Sequence, residues 1–298
     1  MPSDKRLEDR LAALEGLIRP KSIAIVGASA TPGKIGYSAV KNIQDSGYQG
    51  RLIPINPNDA EILGLKAYAS VLDVPGDIDA AVITVPAKLV AQVADECGRK
   101  GVKGLIIITS GFSEIGRREL EAEVVRAATR HGTRVLGPNI VGILSNSDRL
   151  NASFAPFLPL PGKSSLVSQS GALLVAMCAA TVVRHVGFDK LISVGNMADV
   201  DIADLVEWLD RDGATRCITL YIEGLKNGRR FIEAASRATK PIVAIKAGVS
   251  AHGAAAVQTG PASRPHEPGP AAVSVGGQFI AQQVAEMAPQ VRGQHRRR

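Results

Sequence analysis

Short runs of apolar and β-branched residues recur along the first half of the chain, and stretches with helical spacing of apolar residues separate them. The runs lie at residues 22–26, 51–55, 79–85, 104–109 and 133–136, and the helical stretches include 88–99 and 117–130. Strands that alternate with helices in this way form βαβ units, whose right-handed crossovers place helices on both faces of a parallel sheet. The pattern predicts a Rossmann-like, doubly wound α/β domain over residues 19–145. Leucines at helical spacing predict a lead-in helix over 1–18.

The alternation stops after Gly142 and then resumes. Three prolines at 156, 159 and 161 interrupt both regular structures, so we predict a Pro-rich linker over 146–163. Strands near 164–167, 191–194, 217–222 and 242–246 then alternate with helices near 172–184, 202–210 and 229–237. This part predicts a second, flavodoxin-like α/β domain over 164–262. Beyond it the sequence is rich in Pro, Gly, Ser and Ala, which predicts a poorly ordered tail over 263–298.

Composition restricts the partners and the compartment. The 298 residues carry a formal net charge of +7, but three of the positive charges are Arg296, Arg297 and Arg298, and aromatic residues make up only 4%. No basic stripe with interleaved aromatic residues is present, so we predict no nucleic-acid partner. No apolar run reaches the roughly 18 residues of a membrane span, and three widely spaced cysteines are typical of a reducing compartment. We expect no metal site in the chain and a cytoplasmic, membrane-free protein.

A glycine-rich loop follows the first predicted strand and opens a helix. It reads VGASATPGKIG over residues 26–36. In this context glycines permit a tight turn, and the free amides at the helix start receive a phosphate group. A dinucleotide fingerprint needs glycines at relative positions one, three and six and an acidic residue roughly 20 positions later. Here Gly27 is followed only by Gly33 and Gly36, and the second strand ends in Asn56 and Asn58, which disfavours a nicotinamide cofactor.

Seven motifs resemble, in this order, the alpha part of the NDP-forming acyl-CoA synthetases, with succinyl-CoA synthetase as a more distant relative. They are GASATPGKIG, TVPA at 84–87, GLIIITSGFSE at 104–114, GPN at 137–139, VSQSGAL at 167–173, SVGN at 193–196 and YIEG at 221–224. The resemblance covers roughly residues 18–260. It implies a CoA-binding first domain and a second domain that handles phosphate. It also implies a ligase that converts acyl-CoA, ADP and phosphate to acid, CoA and ATP.

The resemblance also implies the site residues of the first domain. CoA binding is expected from the glycine loop, the basic residue Arg51, the turn after the third strand and two positions at later strand ends. In full, these residues are Gly27, Ser29, Ala30, Thr31, Pro32, Gly33, Arg51, Val85, Pro86, Ala87, Ser110 and Asn139. In the family an ATP-grasp beta-type subunit supplies ATP or ADP with Mg, and this chain is too short to contain one. CoA, acyl-CoA and phosphate are the small-molecule ligands that we expect here.

The second domain has a candidate phosphate turn at Ser168, Gln169, Ser170 and Gly171, directly before an apolar helix. Hydroxyl groups and free amides at such a turn bind phosphate, although Ser170 is also a suitable N-cap. Glu223 ends another strand at the same edge. In the family this carboxylate orients the phosphohistidine that relays the phosphoryl group.

The chain departs from the family at the position of that histidine. The family loop reads approximately SHTGA, and the corresponding residue here is Gln258. A glutamine amide is not a nucleophile toward phosphorus at neutral pH, so the phosphoryl relay is expected to be impaired. His252 and His266 would substitute only in a remodelled loop. The alternatives are therefore a ligase chain, a catalytically silent CoA-binding regulatory module and, with least support, an NAD-dependent oxidoreductase.

Overall fold

A computed structural model describes residues 2–247 and 272–273. Its α-helices are α1 (Pro2–Ile18), α2 (Ile35–Asp45), α3 (Ala87–Arg99), α4 (Arg118–Thr129), α5 (Gly171–Arg184), α6 (Ile202–Arg211) and α7 (Gly228–Arg237). Its strands are β1 (Ser22–Val26), β2 (Arg51–Ile55), β3 (Glu61–Ile62), β4 (Leu65–Lys66), β5 (Ala80–Ile83), β6 (Gly104–Ile107), β7 (Arg134–Leu136), β8 (Gly142–Ser145), β9 (Leu150–Ser153), β10 (Pro161–Ser168), β11 (Phe188–Ser193), β12 (Cys217–Ile222), β13 (Ile242–Lys246) and β14 (Ala272–Val273).

The first sheet is parallel and has the order β2-β1-β5-β6-β7. All five residues of β1 are buried, and they alternate between two apolar layers. Ile23 and Ile25 pack with α1 and α2, whereas Ala24 and Val26 pack with α3 and α4. A strand that is covered on both faces needs the continuous apolar sequence seen here. The predicted doubly wound domain is confirmed.

The second sheet has the order β14-β13-β12-β10-β11-β8-β9. Its four central strands, β13, β12, β10 and β11, are parallel, and the strands at both edges are antiparallel. Strand order 2-1-3-4 among the parallel strands is the flavodoxin-like arrangement. The second α/β domain that the sequence predicts is therefore present as well.

The segment predicted as a linker over 146–163 contains regular structure. Within it, β9 pairs with β8, and β8 pairs antiparallel with β11, so both strands belong to the second sheet. The residues of β8 and β9 are buried, and Pro161 is the first residue of β10, where a proline needs no ladder hydrogen bond. The change from one sheet to the next therefore lies between β7 and β8, before the prolines. The other predicted domain limits stay predictions.

The predicted lead-in helix α1 is present and joins the two sheets. Its residues Leu14, Leu17 and Ile18 are fully buried in an apolar cluster that contains residues of both domains. Of the predicted tail, residues 272–273 form β14, and the rest lies outside the described residues. Gln258, His252 and His266 also lie outside them.

Candidate functional site

The carboxyl ends of β1 and β5 form the switch point of the first sheet, where open α/β sheets bind ligands. Gly27 follows β1 with φ +91°, and a Cβ atom there would come within 2.7 Å of Thr84 Oγ1. Thr84 in turn donates to the carbonyl oxygens of Val26 (3.0 Å) and Gly27 (3.1 Å). A Cβ atom at Gly36 would overlap the Gly27 carbonyl oxygen. Glycine at these two positions therefore lets helix α2 start directly against the loop.

The loop between β1 and α2 presents backbone to solvent. Ala30, Thr31, Pro32 and Gly33 are exposed, and Ser29 Oγ accepts a hydrogen bond from Thr31 N at 3.1 Å. Gly33 has φ +86°, and the space where its Cβ would lie is open. The N-cap residue Lys34 makes no side-chain hydrogen bond to the helix start. The amides of the first turn of α2 are therefore free for an anionic ligand.

The structure does not bring Arg51 to this loop. Arg51 pairs with Ser22 at the amino end of β2, whereas Gly27 follows the opposite, carboxyl end of the paired strand β1. Four residues of extended strand separate the two ends by roughly 13 Å. The guanidinium donates to the carbonyl oxygens of Pro75 (2.9 Å) and Asp77 (2.8 Å). The expected CoA contact of Arg51 is therefore contradicted by its position in the strand.

The remaining predicted positions of the first domain lie along the same sheet edge. Val85, Pro86 and Ala87 lead from β5 into α3, and Thr109 Oγ1 donates to the Val85 carbonyl oxygen at 2.8 Å. Ser110 is exposed after β6. Asn139 is exposed after β7, and its backbone amide donates to Thr109 O at 3.0 Å. These residues lie side by side along the carboxyl ends of successive strands.

The phosphate turn lies at the switch point of the second sheet, between the carboxyl ends of β10 and β12. Ser168 Oγ donates to Ser170 O at 2.8 Å and accepts from Ser170 N at 3.2 Å. Ser170 Oγ caps α5 by accepting from Leu173 N at 3.3 Å, so the N-cap alternative is realised in the structure. Gly171 begins α5. The turn therefore lies beside the backbone amides at the start of α5, as the loop after β1 lies beside those at the start of α2.

Gln169 has a role that its sequence position did not reveal. Its side-chain oxygen accepts hydrogen bonds from Glu223 N (2.7 Å) and Gly224 N (3.0 Å). The side chain thus crosses from the end of β10 to the end of β12. It fixes the backbone that carries Glu223 next to the phosphate turn.

Glu223 is partly buried at the end of β12. Burial raises the pKa of its carboxyl group, and the positive charge of Lys246 offsets part of this rise. The Lys246 ammonium group donates to the Glu223 carbonyl oxygen at 2.8 Å. The site therefore contains a carboxyl group that holds a proton more readily than an exposed glutamate does.

The two sheet edges meet at residues 135–139 and 194–200. Asn196 N donates to Pro138 O (3.1 Å), Ala198 N donates to Gly137 O (2.9 Å), and Val200 N donates to Val135 O (3.0 Å). Gly195 has φ +49°, and a Cβ atom there would overlap the carbonyl oxygens of Pro138 and Asn139. The carboxyl edges of the two sheets are therefore in direct contact.

Sequence reasoning missed three polar side chains at this junction, Glu114, Glu121 and Asn196. Asn196 Nδ2 donates to one carboxylate oxygen of each glutamate, at 2.7 Å in both cases. Glu114 and Asn196 lie in the GFSE and SVGN motifs, which could have singled them out. Glu121 lies in a helix with ordinary amphipathic spacing, so no sequence signal marks it.

Among the residues that the structure describes, no group of three or more His, Cys, Asp or Glu side chains is arranged to hold a metal ion. In that same part of the chain no helix is both long and apolar enough to cross a membrane.

Comparisons with known proteins identify both domains. A family model described as CoA binding domain matches residues 21–146, and one described as succinyl-CoA ligase like flavodoxin domain matches residues 161–292. The second match continues past residue 260, where the resemblance recognised in the sequence ends. The predicted tail therefore belongs mostly to the same family domain.

Whole-chain relatives agree with the domain matches. The alpha subunit of an ADP-forming acetate–CoA ligase I from Pyrococcus furiosus is 48% identical over 252 residues, which cover 82% of this chain and 54% of the relative. The alpha subunit of ligase II from the same organism is 45% identical over 287 residues, which cover 94% of this chain and 62% of the relative. This chain therefore spans a little over half the length of these curated relatives.

A solved structure shares the fold. It is that of the dinucleotide forming acetyl-coenzyme A synthetase 1 of Ca. Korarchaeum cryptofilum in its apo form. The TM-score is 0.80 at 47% identity, and the match covers 84% of this chain and 56% of that one.

Proposed function

Because the chain belongs to the alpha-type chains of the NDP-forming acyl-CoA synthetases, we propose that it is the CoA- and acyl-CoA-binding part of an ADP-forming acid–thiol ligase. The overall reaction converts acyl-CoA, ADP and phosphate to the free acid, CoA and ATP. The observation that carries the proposal is the arrangement of the two switch points. The loop after β1 and the turn after β10 lie on sheet edges that hydrogen bonds between residues 135–139 and 194–200 hold against each other.

In the first domain the pyrophosphate of CoA binds at the loop from Gly27 to Gly33. The free amides at the start of α2 and the helix dipole favour a negative charge there. The neutral pantetheine arm then follows the strand ends past Val85, Ser110 and Asn139. Arg51 has no part in this site, because it lies at the other end of β2.

In the second domain inorganic phosphate binds at the turn from Ser168 to Gly171. A phosphate oxygen attacks the thioester carbonyl carbon, a C–O bond forms, and the C–S bond breaks. CoA leaves as a thiolate that takes up a proton, and the product on the site is an acyl phosphate. Gln169 and Glu223 support this site, the first by fixing the strand ends and the second as a partly buried carboxyl group.

The later phosphoryl transfer to ADP requires a partner. We propose an ATP-grasp beta-type subunit, which brings ADP or ATP with Mg²⁺. The Gln258 side chain cannot accept a phosphoryl group, so the relay through this chain is impaired. This residue favours a second candidate function, a silent CoA-binding regulatory module. A cytoplasmic location stays a prediction.

Isothermal titration calorimetry of the purified chain tests the binding proposal. We expect micromolar binding of CoA and no binding of NAD at the same concentrations. NAD binding in place of CoA binding would contradict the proposal and favour the oxidoreductase. If neither CoA nor NAD binds, the purified chain has no site for either nucleotide.

Labelling with radioactive ATP in the presence of an ATP-grasp subunit separates the two candidate functions. We expect no acid-labile phosphate on the wild-type chain, since imidazole is absent at position 258. An acid-labile label that maps to a histidine would show that the relay is intact. If the Gln258→His variant alone becomes labelled, the fold still supports the ligase reaction.

A further inference from the structure

Three polar side chains outside the predicted site form a connected network where the two sheet edges meet. Both hydrogens of the Asn196 side-chain amide are used, one toward Glu114 Oε2 and one toward Glu121 Oε2, each at 2.7 Å. Glu114 also accepts from the backbone amides of Gly111 and Phe112, and Glu121 accepts from Ser113 Oγ at 2.6 Å. The two carboxylates are therefore held in place by the loop after β6.

The carboxylates determine which way the Asn196 amide points. An ionised carboxylate only accepts hydrogen bonds, so the nitrogen of the amide must face the glutamates and its oxygen must face away. Burial alone would raise the pKa of Glu114, but the hydrogen bonds from Asn196, Gly111 and Phe112 lower it overall. Glu114 thus stays ionised at neutral pH, and the orientation of Asn196 is fixed.

The oriented oxygen of Asn196 faces Asn139. Asn139 Nδ2 lies 3.4 Å from Asn196 Oδ1, which is a long hydrogen bond. The Asn139 backbone has φ +62° and is held by the hydrogen bond from its amide to Thr109 O. One N–H is directed at Asn196, and the second N–H of this exposed side chain has no partner among residues 2–247, so it is available to a ligand.

Asn139 lies where a reacting thioester has to pass. It follows β7 at the carboxyl edge of the first sheet, and the carbonyl oxygen of its neighbour Pro138 accepts a hydrogen bond from Asn196 N. Two residues before Asn196, Val194 N donates to the carbonyl oxygen of Ser168 in the phosphate turn at 2.9 Å. In the proposed function, a thioester that extends along the carboxyl edge of the first sheet and meets phosphate at the turn comes close to the Asn139 amide.

We propose that Asn196 is a positioning residue that orients Asn139 to donate a hydrogen bond to the thioester carbonyl oxygen of bound acyl-CoA. The inference rests on the proposed function and adds a specificity element to it, because free CoA has no such carbonyl. When phosphate attacks, this oxygen gains negative charge, and a donor that is already oriented stabilises it. If the network served only to order the loop after β6, its loss would weaken the binding of CoA and of acyl-CoA equally.

Calorimetry of the full chain with CoA and with acetyl-CoA as probes tests the inference. Asn139→Gly removes the side chain and tolerates the positive φ. Because a neutral hydrogen bond contributes modestly, we expect the Kd for acetyl-CoA to rise about 2- to 12-fold. The Kd for CoA, whose pantetheine arm passes Asn139 but carries no thioester carbonyl, should rise by a smaller factor. Asn196→Ala should give the same selective loss, and the double variant should be no weaker than Asn139→Gly alone, since one residue acts through the other.

Gln49→Ala is the matched control, because it removes an exposed side-chain amide at the amino end of the first sheet. It should leave both affinities unchanged. An equal loss of CoA and acetyl-CoA affinity in Asn196→Ala would overturn the inference and indicate a structural role. Unchanged acetyl-CoA binding in Asn139→Gly would also overturn it. Failure of the wild-type chain to bind either probe would instead remove the proposed function, and the inference with it.

Discussion

At the scale of single residues, backbone geometry decides which groups are available to a ligand. Gly27 and Gly33 adopt positive φ angles, and the space where a Cβ atom of residue 33 would lie is open. Arg51, which carries a charge suited to phosphate, is occupied by two carbonyl oxygens far from the loop. The anion site that we propose for the first domain therefore consists of backbone amides and not of the Arg51 side chain.

Gly33→Asp should abolish CoA binding, because its carboxylate enters the space in front of the helix start and repels the pyrophosphate. Gly33→Asn is the matched control. It has the same shape and tolerates a positive φ about as well, but it carries no charge. Calorimetry with CoA should show a loss of at least tenfold for Asp and a much smaller loss for Asn. Equal affinities of the two variants would place the pyrophosphate elsewhere.

Glu223→Gln should change stability in a pH-dependent way. The folded-state pKa of Glu223 is raised by burial, so ionising this carboxyl group costs stability as the pH rises above its ordinary value of 4.5. The neutral variant avoids this cost. We expect urea unfolding to give a higher midpoint for the variant at pH 7 and equal midpoints near pH 4. If the midpoints of variant and wild type differed by the same amount at both pH values, ionisation of Glu223 would not be the cause.

At the scale of elements, buried charges hold helices to the second sheet. The Lys190 ammonium group is fully buried in β11 and lies 2.5 Å from Asp189 Oδ2 and 2.9 Å from Asp212 Oδ2. Burial would raise the pKa of Asp212, but hydrogen bonds from Thr215 and Lys190 lower it overall. Asp212 follows α6 and also pairs with Arg19, which follows α1. One ion-pair network therefore connects a strand with two helices.

Lys190→Met should destabilise the protein by about 3 kcal/mol, because it leaves buried carboxylates without their cation. This is the lower end of the usual range, since Arg19 still pairs with Asp212. Adding Asp189→Asn should recover part of the loss. The control is Lys163→Met, which changes an exposed lysine in the neighbouring strand β10. Denaturant titration measures the free energy of unfolding of all three variants. Equal losses of stability in Lys190→Met and Lys163→Met would show that burial of the Lys190 charge is not the cause.

At the scale of the whole molecule, the two domains form a continuous structure. Helix α1 packs under the first sheet and also bonds to α6, where Trp208 Nε1 donates to Glu15 Oε2 at 3.0 Å. On the other side Arg134 of β7 pairs with Asp199 (2.8 Å) and Asp204 (3.0 Å) of the second domain. The two switch points are therefore held at a fixed separation, as the proposed attack of phosphate on the thioester requires.

Gly195→Ala should separate the sheet edges, because its Cβ would overlap the carbonyl oxygens of Pro138 and Asn139. We expect a destabilisation of about 2 to 3 kcal/mol from overpacking and backbone strain. Gly213→Ala is the control, since the space around Gly213 is open. If the domains unfold together, Trp208 fluorescence and far-ultraviolet circular dichroism should report the same lowered midpoint. Two separate transitions in the wild type would show that the domains are independent.

The sequence by itself determined the elements and the family. Runs such as Ser22–Val26, Arg51–Ile55 and Cys217–Ile222 became strands with the predicted limits, because a buried parallel strand needs an uninterrupted apolar run. The sequence also singled out the glycine loop, the turn at Ser168–Gly171 and Glu223, and the structure places all three at strand ends, where α/β sheets bind ligands. Their ligands stay predictions.

Only the tertiary structure decided how these parts combine. The hairpin of β8 and β9 was missed because its small and polar residues are buried by partners distant in sequence, such as β11. Arg51 and the network of Glu114, Glu121 and Asn196 were misjudged or missed for the same reason. A local pattern fixes the conformation of a segment. The partner of a side chain depends instead on strand order and on which strand ends meet, which nonlocal packing determines.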